Sequence, residues 1–280
     1  MAGYFLYRAL HFFASSLPLK AGYRVAVFFS ILKYYFSPRD RRAVIANLKK
    51  ILPAGEHGKV NSYAKAVFIN FGKYLLEFFR FSAADKDILK QLITVKGLDN
   101  IDAALKKGKG VIILSAHTGN WEMGGIFMAL LGYPMLAVAL PHRYHKVNSF
   151  FNSQREKMGV VVASSLGIGV KRIYESLKNN MLVALVGDRD FTKGGVKMRF
   201  LGDWKVIPRG PAVISQRTGA PIIPGFFSRN PDDTFVLDFL EPLPDYKDEV
   251  KTMEAYALAI EKIIRKDPTQ WLLFREFWKE

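Results

Sequence analysis

The 280-residue sequence contains no cysteine. This absence excludes disulfide bonds, thiolate metal sites and a cysteine nucleophile, and it fits a reducing compartment. Acidic residues are also scarce, since 25 Asp and Glu stand against 41 Lys and Arg and leave a net charge of +16. We therefore expect an anionic partner, which is nucleic acid, an acidic carrier protein or the anionic face of a membrane.

The first 36 residues lack a hydrophobic run long enough to span a membrane. Their longest stretch without a charged residue covers the eleven positions 9–19, whereas a spanning helix needs about 20. No small-residue cleavage site follows a compact apolar core, so a cleavable signal peptide is not expected. Pro18 divides this aromatic and basic segment in two. We expect residues 1–36 to form an amphipathic helical segment at a membrane interface, or else a helical hairpin packed on the protein's own core.

Several sequence signatures of other chemistries are missing as well. No Gly-x-Ser-x-Gly segment is present, and the glycines and lysines of residues 107–110 lack the spacing of a phosphate-binding loop. His142 and His145 have no neighbouring acid or third histidine to complete a metal site. We interpret them, with Arg143, as basic groups that face an anionic head group, and we expect neither a metal nor a bound cofactor.

What the sequence does contain is a regular alternation of strand and helix patterns. Residues 111–116 form an almost uninterrupted apolar run, which is typical of a strand buried on both faces. Further strands are predicted over 134–140, 159–163 and 181–187, with helices over 147–158 and 168–179 between them. This order predicts an α/β fold with a mostly parallel central sheet flanked by helices, formed by a domain of residues 37–280 that follows the amphipathic N-terminal segment.

The first of these strands ends at His117, and Asn120 is well placed to cap a helix that begins at Trp121. The carboxyl ends of strands are where open α/β sheets bind their ligands. Glu122 lies in the first turn of the helix and is expected to fold back towards the imidazole. A base beside a carboxylate is the arrangement of an activated histidine.

Other charged residues are candidates because of their positions. Asp188 and Asp190 follow the strand at 181–187, so their carboxylates are expected at the same edge of the sheet as His117. Arg209 precedes a helix that opens with Gly-Pro and is placed to bind a phosphate. Glu77 and Arg80, on a helix predicted over 59–81, are expected to form a surface pair.

Residues 117–122, HTGNWE, resemble the His-x4-acid motif of the glycerolipid acyltransferase superfamily. The Gly-Asn-Trp filling is most similar to the late acyltransferases of lipid A biosynthesis, which are lauroyl and myristoyl transferases. Bacterial acyltransferases that act on mannosylated phosphatidylinositol share this filling. Further segments resemble the same family, namely Asn148-x6-Arg155-x3-Gly159, Phe200-Leu201-Gly202, Gly210-Pro211-Ala212 and Pro268-x-Gln270-Trp271.

The resemblance implies an O-acyltransferase that moves a fatty acyl chain from an acyl thioester, on acyl carrier protein or coenzyme A, to a hydroxyl of a membrane glycolipid. A lipid A precursor is the expected acceptor. In this interpretation His117 is the general base and Glu122 orients its ring. Arg155, Asp188 and Asp190 bind substrate or stabilise the oxyanion, and backbone N–H groups at the Asn120 helix start contribute to the oxyanion site. An apolar slot lined by Ile126, Phe127, Leu130 and Leu131 is expected to hold the acyl chain.

Three alternatives remain open on the sequence. The same chemistry suits a mannosylated phosphatidylinositol or a lysophosphatidate-type acceptor, and a non-catalytic basic membrane-binding protein is the alternative from another class. Nucleic acid is not expected as a partner, because the aromatic residues form apolar stripes and do not interleave with Lys and Arg as stacking platforms. The resemblance implies a peripheral or interfacially anchored protein at the cytoplasmic face of the bacterial inner membrane.

Overall fold

A computed structural model describes residues 2–81, 86–167, 169–191 and 194–279 of the chain, without the side chains of residues 2–6. The helices are α1 (Ala2–Ser16), α2 (Leu19–Phe36), α3 (Pro38–Ile51), α4 (Val60–Arg80), α5 (Lys86–Leu92), α6 (Leu98–Leu105), α7 (Trp121–Leu130), α8 (His145–Glu156), α9 (Gly169–Lys178), α10 (Gly210–Thr218) and α11 (Glu249–Lys266). The strands are β1 (Ile93–Lys96), β2 (Val111–Ser115), β3 (Met135–Ala139), β4 (Val160–Ser164), β5 (Leu182–Val186), β6 (Val196–Phe200), β7 (Asp203–Ile207), β8 (Ile222–Arg229) and β9 (Phe235–Phe239).

A seven-stranded sheet forms the centre of the molecule, in the order β1-β9-β8-β2-β5-β3-β4. Strand β2 lies in the middle and runs parallel to both neighbours, β5 and β8. Strand β9 is antiparallel to β8, and β6 pairs with β7 in a separate hairpin. The expected α/β class and mostly parallel sheet are confirmed, although position 168, the expected start of one helix, lies outside the described residues.

Strand β2 is buried on both faces, as its unbroken apolar sequence predicts. Ile112 and Leu114 face a core that contains residues of α9, α10 and α11. Val111 and Ile113 face a second core, formed with residues of α4, α6, α7 and α8. Because successive side chains of a strand point to opposite faces, a strand between two helical layers needs apolar residues at every position. His117 follows directly on this rigid element.

The N-terminal segment forms two helices that Pro18 separates. Helix α2 packs closely against α4, because Gly72 has no side chain: a Cβ at that position would lie 2.0 Å from Oγ of Ser30. The buried face of α2 includes Tyr23 and Tyr34, whereas the aromatic rings on its other side remain exposed. The segment therefore packs on the protein and still presents an apolar face. Among the described helices, none has both the length and the apolar character needed to cross a membrane.

Candidate active site

A cavity of about 760 Å³ opens at the carboxyl ends of β2, β3 and β5. Helices α8, α9 and α10 form much of its wall. The predicted site residues that line it are His117, Glu122, Arg155, Asp190 and Arg209. Asn120 and Asp188 are 1% and 0% exposed and support these residues from behind. The structure therefore brings all seven predicted residues to one edge of the sheet.

The turn that carries His117 is held by the C-terminal segment. The N–H of Gly119 donates to the carbonyl of Gln270, and the N–H of Leu272 donates to the carbonyl of His117, both at 2.9 Å. Gly119 has a φ of +58°, and a Cβ there would lie 1.8 Å from the carbonyl oxygen of Phe227. Only glycine fits this position, because the left-handed backbone and the close approach both exclude a side chain.

Helix α7 begins where the sequence predicts, and Asn120 caps it. Oδ1 of Asn120 accepts a hydrogen bond of 3.0 Å from the N–H of Met123. This bond satisfies one of the backbone donors that a helix start leaves without a partner. The cap fixes the direction in which α7 leaves the turn, and with it the positions of Trp121 and Glu122 beside the cavity.

The carboxylate that binds the His117 ring is Asp188. Nδ1 of His117 and Oδ1 of Asp188 are 2.6 Å apart, and Nε1 of Trp271 donates to Oδ2 of Asp188 at 3.0 Å. Burial by itself would raise the pKa of Asp188, but His117, Arg189 and Trp271 lower this pKa to well below its ordinary value. Because an ionised carboxylate only accepts, Nδ1 is the protonated nitrogen and Nε2 is the basic one.

Glu122 forms neither a hydrogen bond nor an ion pair with the imidazole, and the expected pairing with His117 is wrong in this respect. Its carboxylate accepts two hydrogen bonds from Arg155, one of 2.8 Å from Nε and one of 2.6 Å from Nη2. The side chains are 13% and 8% exposed. Burial lowers the pKa of Arg155, but Glu122 outweighs this effect and the net pKa is raised. The first turn of α7 points Glu122 at α8, a direction that local sequence does not reveal.

Two of the other predicted residues are engaged in local contacts at the cavity wall. Oδ2 of Asp190 accepts a hydrogen bond of 2.9 Å from the N–H of Gly195. Arg209 forms a pair with Glu249 at 2.8 Å, and its side chain is half-exposed at the rim. Within the described ranges of the chain, no group of three or more His, Asp or Glu side chains is placed to hold a metal ion.

A family model described as bacterial lipid A biosynthesis acyltransferase matches residues 1–280. The chain belongs to this family. It is 31% identical over 183 residues to a phosphatidylinositol mannoside acyltransferase of Mycobacterium tuberculosis, and the aligned segment covers 64% of this chain and 58% of that protein. It is 26% identical over 198 residues to the lipid A biosynthesis palmitoleoyltransferase of Escherichia coli, and the aligned segment covers 68% of this chain and 63% of that protein. The chain thus matches about 58–63% of the length of these relatives.

The family resemblance predicted from HTGNWE is confirmed, but no sequence pattern indicated the roles of two residues behind the motif. Trp271 belongs to the Pro-x-Gln-Trp segment, which resembled the family without indicating that its indole binds Asp188. Glu77 is 3% exposed and bonded to Asn120, so the expected surface pair with Arg80 is wrong. Arg80 instead donates to the backbone carbonyls of Ala14 and Leu17. Helices α1 and α2 cover this part of α4, which no local pattern indicated.

The apolar part of the cavity differs from the expected slot on α7. Ile126 and Phe127 are 1% and 2% exposed and pack in the core between α7 and the sheet. Leu130 packs against the same core. The cavity is lined instead by apolar residues of β3, β5, α9 and α10, namely Val138, Leu185, Val170, Ile173, Val213 and Ile214. The side of α7 that faces the core was mistaken for a ligand slot, because both need apolar residues.

Proposed function

We propose that this member of the family is an O-acyltransferase, which transfers a fatty acyl chain from an acyl thioester to a hydroxyl of a membrane glycolipid. The observation that carries the proposal is the His117–Asp188 pair, whose imidazole lines a partly apolar cavity. A basic nitrogen at this position suits removal of a hydroxyl proton, and the apolar wall suits a hydrocarbon chain. The acyl thioester enters as co-substrate, and we expect no other cofactor.

In the proposed reaction, Nε2 of His117 accepts the proton of the acceptor hydroxyl while the hydroxyl oxygen attacks the thioester carbonyl. Asp188 holds the imidazole in the required tautomer and stabilises the imidazolium that forms. The tetrahedral intermediate then collapses, so that the carbon–oxygen bond remains and the carbon–sulfur bond breaks. The departing thiolate takes the proton from Nε2 and leaves as a thiol. Transfer is direct, with no acyl-enzyme.

Glu122 and Arg155 act together in this proposal. The fork of two hydrogen bonds fixes the guanidinium plane beside the cavity, where it stabilises the oxyanion of the tetrahedral intermediate. Glu122 thus acts by orienting Arg155 and neutralising its buried charge. Backbone N–H groups at the Asn120 helix start contribute to the same oxyanion site. Asp190 and Arg209 line the route by which the polar part of a substrate enters.

Two acceptor classes have support from the comparisons. Family membership supports a lipid A precursor. The higher identity to the mycobacterial enzyme, 31% against 26%, supports a mannosylated phosphatidylinositol. A lysophosphatidate-type acceptor is the third candidate. The donor is an acyl chain on acyl carrier protein or on coenzyme A.

The exposed faces of α1 and α2 support interfacial attachment to an anionic membrane. Their large apolar residues include Phe12, Phe13, Phe28, Phe29 and Phe36, which are 58–80% exposed. Between α1 and α8 lies a cleft of about 530 Å³, and no Asp or Glu is among the described residues that line it. Its basic residues are Arg8, His11, His145, Lys146 and Lys157. We propose that the rings enter the lipid and the cleft binds phosphate head groups, at the cytoplasmic face of the bacterial inner membrane.

A mass-spectrometric transfer assay tests the proposed reaction. The protein is incubated with lauroyl and myristoyl thioesters, carrier-bound or linked to coenzyme A, and with each acceptor class in mixed micelles. We expect one acceptor to gain one acyl chain, and His117→Ala to give no product. If no acceptor is acylated and no thioester is hydrolysed, the result would instead favour a non-catalytic membrane-binding protein.

A further inference from the structure

A buried ionic cluster lies directly behind the His117 turn. Oε1 of Glu77 accepts hydrogen bonds from the hydroxyl of Tyr23, at 2.7 Å, and from Nη2 of Arg229. Oε2 of Glu77 accepts a hydrogen bond of 2.7 Å from Nδ2 of Asn120. Glu77, Tyr23 and Asn120 are 3%, 7% and 1% exposed. One carboxylate therefore joins α2, α4, the end of β8 and the cap of α7.

Charges alternate through this cluster. Arg229 contacts Glu77 on one side and Asp233 on the other, at 3.1 Å, and Lys73 lies 2.6 Å from the same Asp233. Burial lowers the pKa of Arg229, but Glu77 more than offsets this effect, so that the guanidinium remains charged. Burial and the Glu77 carboxylate both raise the pKa of Tyr23, which therefore stays a hydroxyl donor. Glu77 thus accepts from three fixed donors.

The Glu77 carboxylate determines which way the Asn120 amide points. The oxygen and nitrogen of an asparagine amide are almost equal in size, so sterics alone do not distinguish the two orientations. A carboxylate only accepts, and Nδ2 must therefore face Glu77. Oδ1 is then left to accept from the N–H of Met123. If the amide were turned over, its NH2 group would face that N–H and the cap of α7 would be lost.

We propose that Glu77 is a positioning residue for the catalytic turn. By fixing the Asn120 amide it fixes the start of α7, and so it holds Trp121 beside His117 and Glu122 beside Arg155. The ring centroids of Trp121 and His117 are 4.9 Å apart, and Glu122 holds Arg155. The hydroxyl of Tyr23 extends this support to α2, the helix with the exposed aromatic face. The effect on catalysis rests on the proposed acyl transfer, whereas the effect on the cap does not.

A reciprocal exchange of carboxylate and amide tests the proposal. In Glu77→Gln a donor faces Nδ2 of Asn120, and in Asn120→Asp two carboxylates face each other. In the double variant the amide of position 77 donates to the carboxylate of position 120, which still accepts from Met123. Each change replaces one group by another of the same shape. We expect each single variant to lose about 10²-fold in kcat with KM for the acyl donor unchanged, and the double variant to recover most of the loss.

Asn120→Asp is the decisive single variant, because aspartate caps a helix as well as asparagine does. If Asn120 acted only as a cap, this variant would keep its activity and the proposal would be overturned. All assays are run well below the melting temperature of the least stable variant. Reduced melting temperatures with an unchanged kcat in both single variants would assign Glu77 a purely structural role and would also overturn the proposal.

Hydrogen exchange separates this proposal from the proposed function. We expect amide protection at residues 123–125 to fall in both single variants and to return in the double variant, whether or not the protein transfers acyl chains. A wild-type protein inactive on every acceptor, with this exchange pattern, would contradict the acyltransferase proposal alone. Unchanged protection in the single variants would overturn the positioning role. Tyr23→Phe should lower protection and activity mildly. Tyr34→Phe removes a hydroxyl of the same helix whose contacts to the carbonyl and Oδ1 of Asn61 are long, at 3.4 and 3.5 Å, and it should change neither.

Discussion

Nδ1 of His117 lies 2.6 Å from Oδ1 of Asp188, a residue 71 positions away along the chain. The contact follows from the sheet, because β2 and β5 are parallel neighbours with Ser115 paired to Val186. Both strands end at the same edge, two residues before the histidine and the aspartate respectively. Parallel pairing in register therefore places the base and its carboxylate together, and Trp271 fixes the second oxygen of Asp188.

Replacement of Asp188 tests which carboxylate supports His117. We expect Asp188→Asn to lower kcat by about 10²–10⁴-fold, because the imidazolium loses its counter-charge and the tautomer is no longer fixed. The loss should not add to that of His117→Ala in the double variant, since the two residues act as a unit. Steady-state transfer kinetics provide the measurement. Full activity in Asp188→Asn would contradict the assignment of the supporting carboxylate.

The Glu122–Arg155 fork should contribute to both activity and stability. Glu122→Ala leaves a buried guanidinium without its main partner, and we expect a loss of about 3 kcal/mol in the free energy of unfolding. The double replacement Glu122→Leu/Arg155→Leu removes both charges and should destabilise the protein less than Glu122→Ala alone. Arg155→Lys should lower kcat, because an ammonium group cannot form the fork. Urea unfolding and transfer kinetics measure these effects. A double variant that loses more stability than Glu122→Ala alone would contradict a coupled pair.

Apolar residues of the cavity wall should set the length of the acyl chain. Val213 and Leu185 line the cavity from α10 and β5. We expect Val213→Phe or Leu185→Phe to shift the preference towards shorter acyl thioesters, since the added ring shortens the space for the chain. Val250→Phe, at an exposed position of α11, is the matched control. Competition between thioesters of different lengths, followed by mass spectrometry, measures the preference. An unchanged preference in both cavity variants would place the acyl chain elsewhere.

Membrane attachment should depend on where the positive charge lies, as well as on its total. We expect Lys146→Gln/Lys157→Gln to weaken binding to vesicles of phosphatidylethanolamine and phosphatidylglycerol, because the cleft between α1 and α8 loses two cations. The matched control is Lys107→Gln/Lys109→Gln, which removes the same charge from a cleft before β2. Vesicle sedimentation measures the binding. Equal losses in both double variants would indicate attraction by net charge alone.

In the same assay, Phe28→Gln/Phe29→Gln should weaken binding at high salt, where electrostatic attraction is screened.

The low pKa of Asp188 predicts how stability depends on pH. As the pH falls, the unfolded chain protonates this carboxylate first, because its folded pKa lies below the unfolded value. The stabilisation is therefore complete above the unfolded pKa of about 4 and decreases as the pH falls towards the folded pKa. We expect the difference in melting temperature between wild type and Asp188→Asn to be larger at about pH 7 than at about pH 3.5. A difference that widens in acid would contradict an ionised Asp188.

Much of the fold could be predicted from the sequence because its signals are local. The apolar run before His117 required a strand buried on both faces, and Asn120 required a helix start after it. The alternation of such runs with helix patterns predicted the parallel sheet, and the position of His117 at a strand end predicted the location of the site. The residues that meet at this edge were found because the carboxyl ends of parallel strands share it.

The partners within the site were decided only by the tertiary structure. Nearness in sequence favoured Glu122 as the partner of His117, but the first turn of α7 directs this side chain to Arg155 on α8. The register of β2 against β5 brings Asp188 to the imidazole instead. Glu77 looked like a surface residue because its helix carries charges at that end, and it is buried because α2 packs over α4. Strand, helix and cap signals lie in neighbouring residues, whereas these pairings depend on how separate elements pack.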